Sequence, residues 1–244
     1  MINEKHPISI GWYGKIPSLG DFVLRRLPMD FINPWDSWLE KFMTAGRVQL
    51  GERWLELYLT SPIWRFLIMP NTWGNSVMWT GVLMPSVDKA GRHFPLTIAA
   101  PVEPYPEMIF DTLSAQAWYA SLEQAALASL DTDASPNDLD HRLSKCPFPR
   151  HHCENHSNHS RELASWLQNT SIDSVDHKTF TLPNADSVIK LYQATIGDIF
   201  STMSQNKSFW WKVHFETDLT QLHCFKGLPS EYYFATLLGE SEKN

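Results

Sequence analysis

Apolar positions along the chain follow two periods. Ile8, Ile10 and Trp12 alternate with Ser9, Gly11 and Tyr13, the two-residue period of a half-buried strand, so a strand is expected over Ser9 to Tyr13, ended by Gly14. Pro17, Ser18 and Gly20 then break any regular pattern, since proline removes a donor and glycine admits positive φ. The resulting loop carries Lys15, Asp21, Arg25 and Arg26. Asn33-Pro34 has the character of a helix start, with Asn as cap, Pro at the first helical position and Asp36 near the positive end. Trp35, Trp38, Leu39 and Phe42 follow at i, i+3, i+4 and i+7, an aromatic stripe suited to lie on a sheet. A second helix is expected from Gly51, with Trp54, Leu55, Tyr58 and Leu59 facing inward until Ser61-Pro62 stops it.

Three strand-like runs come next, Trp64 to Met69, Val77 to Met84 and Pro95 to Val102, separated by the polar stretches Asn71 to Asn75 and Asp88 to Gly91. Short polar turns imply antiparallel neighbours, and near-continuous apolar runs imply strands covered on both faces. Met108 to Leu130 has the helical spacing of one long helix or two stacked ones. Asp131 to Ser160 turns polar and proline-rich, with only a short helix admissible after Ser135-Pro136, and reads as a loop insertion. Helices are expected again over Arg161 to Gln168, with Leu163, Trp166 and Leu167 inward, and over Ala185 to Met203, with Val188, Ile189, Tyr192 and Ile196 inward. Phe209 to Phe215 and Leu222 to Phe225 read as paired strands, and Leu228-Pro229-Ser230 introduces a closing helix through Leu238. The pattern predicts an α/β fold, a three-layer α-β-α sandwich around a central, largely antiparallel (mixed) sheet, as a single domain over residues 1–244 with the insertion at 131–160.

Composition narrows the function. Hydrophobic residues make up 43% of 244 residues, with 11 Trp and 13 Phe, so an aromatic core is expected and general disorder is not. A net charge of −7 disfavours nucleic acid and anionic membranes, which demand clustered cations, and suits a basic protein partner. No apolar run reaches bilayer length and the N-terminus lacks the pattern of a signal peptide, so a cytoplasmic protein without direct membrane insertion is expected. Three cysteines, Cys146, Cys153 and Cys224, suit a reducing compartment.

Catalytic motifs are incomplete. Gly14-Lys15 lacks a following Ser or Thr to hold magnesium, because Ile16 stands there and Ser9 replaces the first glycine of a phosphate-binding loop. Ser18-Leu19-Gly20 lacks the first glycine of a nucleophile elbow, again because of Ile16. Cys146, His151, His152, Cys153, His156 and His159 crowd together, yet the Cys-x6-Cys spacing is looser than that of zinc knuckles. No cofactor and no resident metal are expected; Cys146, His152, Cys153 and His156 would bind metal adventitiously.

Four motifs remain: GWYGKIPSLGDF at Gly11 to Phe22, NPWDSWLEKF at Asn33 to Phe42, GRHFPL at Gly91 to Leu96 and SFWW at Ser208 to Trp211. In this order they resemble the TagF family of type VI secretion-associated proteins. The resemblance implies a noncatalytic, post-translational repressor of type VI secretion that binds the cytoplasmic forkhead-associated scaffold protein of the apparatus. It also implies that the phosphatase domain fused to some members would here be a separate protein. The candidate contact residues are Lys15, Ser18, Asp21, Arg25 and Arg26 of the signature loop, with Arg92 of the GRHFP turn. Two other readings are an enzyme with a charged pocket around Lys15, Asp21 and Arg92, and a metal-dependent sensor built on the His/Cys insertion.

Overall fold

Among the described residues seven strands join in one open sheet: β1 (Gly11–Gly14), β2 (Val23–Arg25), β3 (Trp64–Ile68), β4 (Met78–Met84), β5 (Leu96–Val102), β6 (Lys207–Val213) and β7 (Thr220–Lys226). In this computed structural model, which describes residues 9–74, 76–103, 106–146, 148, 158–168, 179–184, 186–213 and 220–238, the strand order is β2-β1-β5-β4-β3-β6-β7. All the pairings are antiparallel. The three runs read from the sequence form the meander β3-β4-β5, each within a residue or two of its expected limits.

Both faces of the sheet are covered. On one, Trp12, Leu67, Val82 and Ile98 pack beneath α3 (Pro106–Ser114), α4 (Gln116–Ala128) and α5 (Pro136–Ser144). On the other, Phe66, Trp79 and Leu83 pack beneath α1 (Met29–Leu50), α2 (Trp54–Leu59) and α8 (Phe234–Leu237). Burial of both faces explains why β1, expected to be half-buried over Ser9 to Tyr13, is instead Gly11–Gly14 and buried throughout: Trp12 enters one core and Tyr13 the other.

The aromatic stripe of α1 lies on the sheet as expected, but the helix begins earlier. Pro28 stands at its cap and Pro34 lies inside it. The Asn33 cap loses to packing, because a helix from Met29 also buries Phe31 and Ile32 and extends the stripe by a turn at the loss of the one bond Pro34 cannot donate. Trp35 stacks on Trp210 of β6 at 6.0 Å between ring centroids and donates its indole N–H to Thr97 Oγ1 at 2.8 Å. Trp38 donates to the Pro229 carbonyl at 2.8 Å and Trp64 to that of Leu237 at the same distance, so α8 is tied across the sheet.

Several inward assignments are corrected. α2 is six residues long and buries only Trp54 and Tyr58, leaving Leu55 and Leu59 exposed. The short helix admitted after Ser135-Pro136 is α5, whose Ser135 and Asp138 form a reciprocal cap, but its Leu139 and Leu143 enter the core, so this part of the segment is not a loop insertion. In α6 (Asn158–Gln168) Leu163 and Ala164 are buried while Leu167 is exposed. In α7 (Asp186–Met203) the four apolar residues expected inward point to solvent.

Within the α4 side of the sheet, Arg65 of β3 reaches the Glu123 carboxylate of α4 with Nε and Nη2 at 2.6 and 2.9 Å, and Gln116 Oε1 with Nη1 at 2.5 Å. The guanidinium lies 5.4 Å from the Tyr119 ring, whose hydroxyl meets Thr80 Oγ1 at 2.6 Å. A fork-to-carboxylate pair satisfies two buried charges at once.

Two stability outcomes follow from this packing. Trp38→Ala is expected to cost about 3 to 5 kcal/mol in urea denaturation, because it removes a buried ring and orphans the Pro229 carbonyl. Arg65→Met is expected to cost about 3 to 5 kcal/mol by leaving Glu123 buried without its partner, and adding Glu123→Leu to the same chain should restore most of it.

Candidate functional site

The signature loop leaves the sheet at Gly14, where φ is +136° and an added Cβ would lie 2.2 Å from the Pro95 carbonyl oxygen. Only glycine fits there. The next residue, Lys15, turns inward and is 5% exposed. Its Nζ lies 2.9 Å from Asp88 Oδ2 and 4.7 Å from the centre of the Phe22 ring.

Asp88 is the hub that sequence reasoning missed. Its Oδ1 accepts the backbone N–H groups of Ala90 and Arg92, each at 2.9 Å, and its Oδ2 accepts Lys15 Nζ and, at 2.7 Å, Arg92 Nε. Burial alone would push this carboxyl up, but the bonds from Lys15, the Arg92 amide, the Arg92 guanidinium and the Ala90 amide hold it well below the usual carboxylate range. The signal was present in the Asp-x-x-Gly turn Asp88 to Gly91, since an aspartate there caps the turn amides and Gly91 takes φ +79°. Arg92 Nη2 also donates to the Gly20 carbonyl, Lys89 N–H donates to Leu19 O at 2.8 Å, and Ser86 Oγ donates to Lys15 O at 2.7 Å. Residues 15–20 and 86–92 are thereby fastened into one unit.

The structure thus brings Lys15 and Arg92 together and separates the other candidates. Arg26, at φ +58°, donates from Nε to Ile10 O at 2.8 Å and pairs with Asp140 of α5 at 2.6 Å, where Trp12 Nε1 also donates at 2.8 Å. Burial opposes the ionised form of Asp140, yet the bonds from Arg26 and Trp12 lower it. Arg26 is accordingly a clamp between the loop and α5. Ser18 Oγ is enclosed without a hydrogen-bond partner among the described residues. Asp21 is exposed and accepts the Phe22 N–H at 2.8 Å, and Arg25 is exposed on edge strand β2.

What faces solvent is a small plate. Phe22, 45% exposed, stacks on Tyr13 at 5.9 Å and meets Phe94 edge to face at 4.8 Å. Asp21 precedes it, Leu24 shares its face through pairing with Tyr13, and the outer part of Arg92 is exposed nearby, whereas Arg25 pairs with Trp12 and lies on the opposite face, toward Asp140. His93 is held edge-on by the Trp54 and Tyr58 rings at 5.7 and 5.6 Å, and burial, with Arg47 and Lys15 adding to it, lowers its affinity for a proton. In the proposed catalytic pocket Lys15 and Arg92 are both engaged by Asp88, and Asp21 bonds only its own loop.

Of the His/Cys group, Cys146 lies in the core beside α5, its Sγ 3.3 Å from the Arg142 carbonyl and its thiol pushed up by burial. His159 packs against Phe180 at 5.5 Å, and His152, Cys153 and His156 lie outside the described residues. Among the described residues no three His, Cys, Asp or Glu side chains converge to hold a metal.

A family model described as the TagF N-terminal domain, type VI secretion system-associated, matches residues 11–146. The chain belongs to the TagF family. The loop, its aspartate hub, α1 and the meander all fall inside the matched span, whereas β6 with its SFWW motif falls beyond it. The crystal structure of PA0076 from Pseudomonas aeruginosa PAO1 is similar along nearly the full length, with 29% sequence identity, a TM-score of 0.70 and 97% of each chain covered. No match was found among curated proteins. This TagF-family chain is a type VI secretion-associated protein, and no helix among its described residues is long and apolar enough to cross a membrane.

The hub makes stability depend on pH in a definite direction. Because the folded carboxyl of Asp88 is depressed, its contribution is present in full above the ordinary carboxyl value of about 3.9 and is lost as pH falls from there toward the folded-state value. Urea melts at stepped pH should show that acid limb in the native chain and a flatter one in Asp88→Asn, which should also be less stable at neutral pH. Parallel acid limbs would rule out Asp88 as their source.

Proposed function

We propose that the chain is a noncatalytic, post-translational repressor of type VI secretion that acts in the cytoplasm by binding the forkhead-associated scaffold protein through the plate around Phe22. The observation that carries this reading is the engagement of both signature cations by one buried aspartate. Lys15 and Arg92 serve to hold a loop still, not to act on a substrate, and a rigid loop presents its rim with little ordering cost on association. The rim combines an exposed aromatic ring with Asp21 and the outer part of Arg92, the mixture of apolar anchor and flanking charge that suits a protein contact. Repression by this route is stoichiometric and needs no phosphorylated threonine on the chain.

Titration calorimetry with unphosphorylated recombinant partners tests the reading. Asp21→Arg is expected to weaken association by about tenfold or more, equivalent to about 1.4 kcal/mol, with the melting temperature unchanged because that side chain is exposed. Arg26→Ala, by contrast, should lower the melting temperature through the lost Asp140 pair. Absence of complex at micromolar concentration rejects direct phosphorylation-independent binding, and turnover of a small substrate would restore the enzymatic alternative.

A further inference from the structure

α7 is amphipathic in the wrong sense for a helix that closes a core. Val188, Ile189, Tyr192, Ile196 and Met203 are 46%, 59%, 53%, 59% and 66% exposed. The helix rests against α3 and α6, and its enclosed positions include Leu191 and Thr195, the Thr195 hydroxyl returning to the Leu191 carbonyl at 2.7 Å. A surface helix ordinarily turns its apolar stripe inward and its small polar residues out. A contiguous apolar stripe left on a folded surface marks a contact.

Its spacing selects the kind of contact. Ile189, Tyr192, Ile196, Ile199 and Met203 recur at alternating steps of three and four residues, the a/d seam of a heptad, whose knobs fit the holes of another helix. We propose that this seam pairs with α7 of a second copy of the chain, antiparallel, giving a two-fold dimer.

Self-complementarity favours the second copy. Inverting the helix about Ala194 sets Ile189 against Ile199 and Tyr192 against Ile196, so each layer is apolar from both sides, as an isologous interface requires. Val188, Gln193 and Thr202, which border the seam, are uncharged, so no like charges meet there even though the chain carries a net charge of −7. The antiparallel sense also sets the two helix dipoles head to tail. The plate around Phe22 is elsewhere: Phe200 of α7 stacks on Phe209 of β6, and three strands lie between β6 and β1.

Sedimentation velocity of the full chain over rising micromolar concentrations should show a monomer-dimer equilibrium. Ile196→Asp, placed where the side chain is exposed in one copy, should keep the melting temperature and weaken the dimer by about thirtyfold or more. With Cys153 and Cys224 replaced by serine, a Tyr192→Cys chain mixed with an Ile196→Cys chain should form a mixed disulfide on oxidation in preference to either homodisulfide. A native chain that stays monomeric throughout, an Ile196→Asp chain that dimerises as tightly as the native one, or preferential Tyr192→Cys homodisulfides would each overturn the proposal.

Discussion

A sheet dried on both faces leaves no water for its polar side chains, and much of this molecule is organised by that constraint. Thr80, Thr97, Arg65 and Asp88 are all buried in or beside the central strands, where an unpaired donor or acceptor costs more than a hydrogen bond gains. Each is answered from another element: Thr80 by Tyr119 and Arg65 by Glu123, both of α4, Thr97 by Trp35 of α1, and Asp88 by the signature loop. The helices are therefore fixed on the sheet by shape and also by a few polar contacts that tolerate little sliding. Trp35, Trp38 and Trp64 belong to the same solution, each filling space while its single N–H reaches across to a hydroxyl or a carbonyl, whereas the buried N–H groups of Trp54, Trp79 and Trp118 have no hydrogen-bond partner among the described residues.

The signature residues are best understood within that economy. A loop of prolines and glycines at the end of a strand would ordinarily wander, and here it is held at one end by Gly14 against the Pro95 carbonyl and along its length by the aspartate hub. Rigidity of the loop and integrity of the fold share the same residues, so substitutions at Lys15, Asp88 or Arg92 act on both. Asp21 and Phe22 project from the rigid part and are exposed, so they are less tied to the fold.

Much of the fold was legible because its signals are local. The meander β3-β4-β5 is written in apolar runs broken by turn residues, and the stripe of α1 in i, i+3 and i+4 spacing. The start of α1 was not legible, since a favourable Asn-Pro cap competes with burial of Phe31 and Ile32, and only the sheet beneath them decides the outcome. α7 failed for the converse reason: periodicity shows that a stripe exists without saying which neighbour it meets. At the candidate site Lys15 and Arg92 were visible as charges near family motifs, but their shared partner stands 73 residues from Lys15, a pairing no local pattern reveals. The Arg26 pair was hidden for the same reason, its partner Asp140 being 114 residues away.

The tie from Trp38 to Pro229 spans 191 residues, that from Trp64 to Leu237 spans 173, and β6 enters the sheet beside β3 although most of the chain separates them. The α1 face of the segment that carries the family match consequently stays incomplete until Trp210, Phe234, Leu237 and Leu238 arrive, whereas the α3–α5 face draws all its buried residues but Trp211 from the first 148 positions. During synthesis α1 and the meander emerge from the ribosome with Trp35, Phe66 and the outer edge of β3 uncovered, and they stay so until Trp210 and Phe234 follow. Loop closure over such separations is slow, and an uncovered strand edge recruits other chains. The C-terminal third thus acts as a late-arriving lock whose absence, by truncation or stalled translation, leaves a sticky intermediate in place of a smaller folded protein.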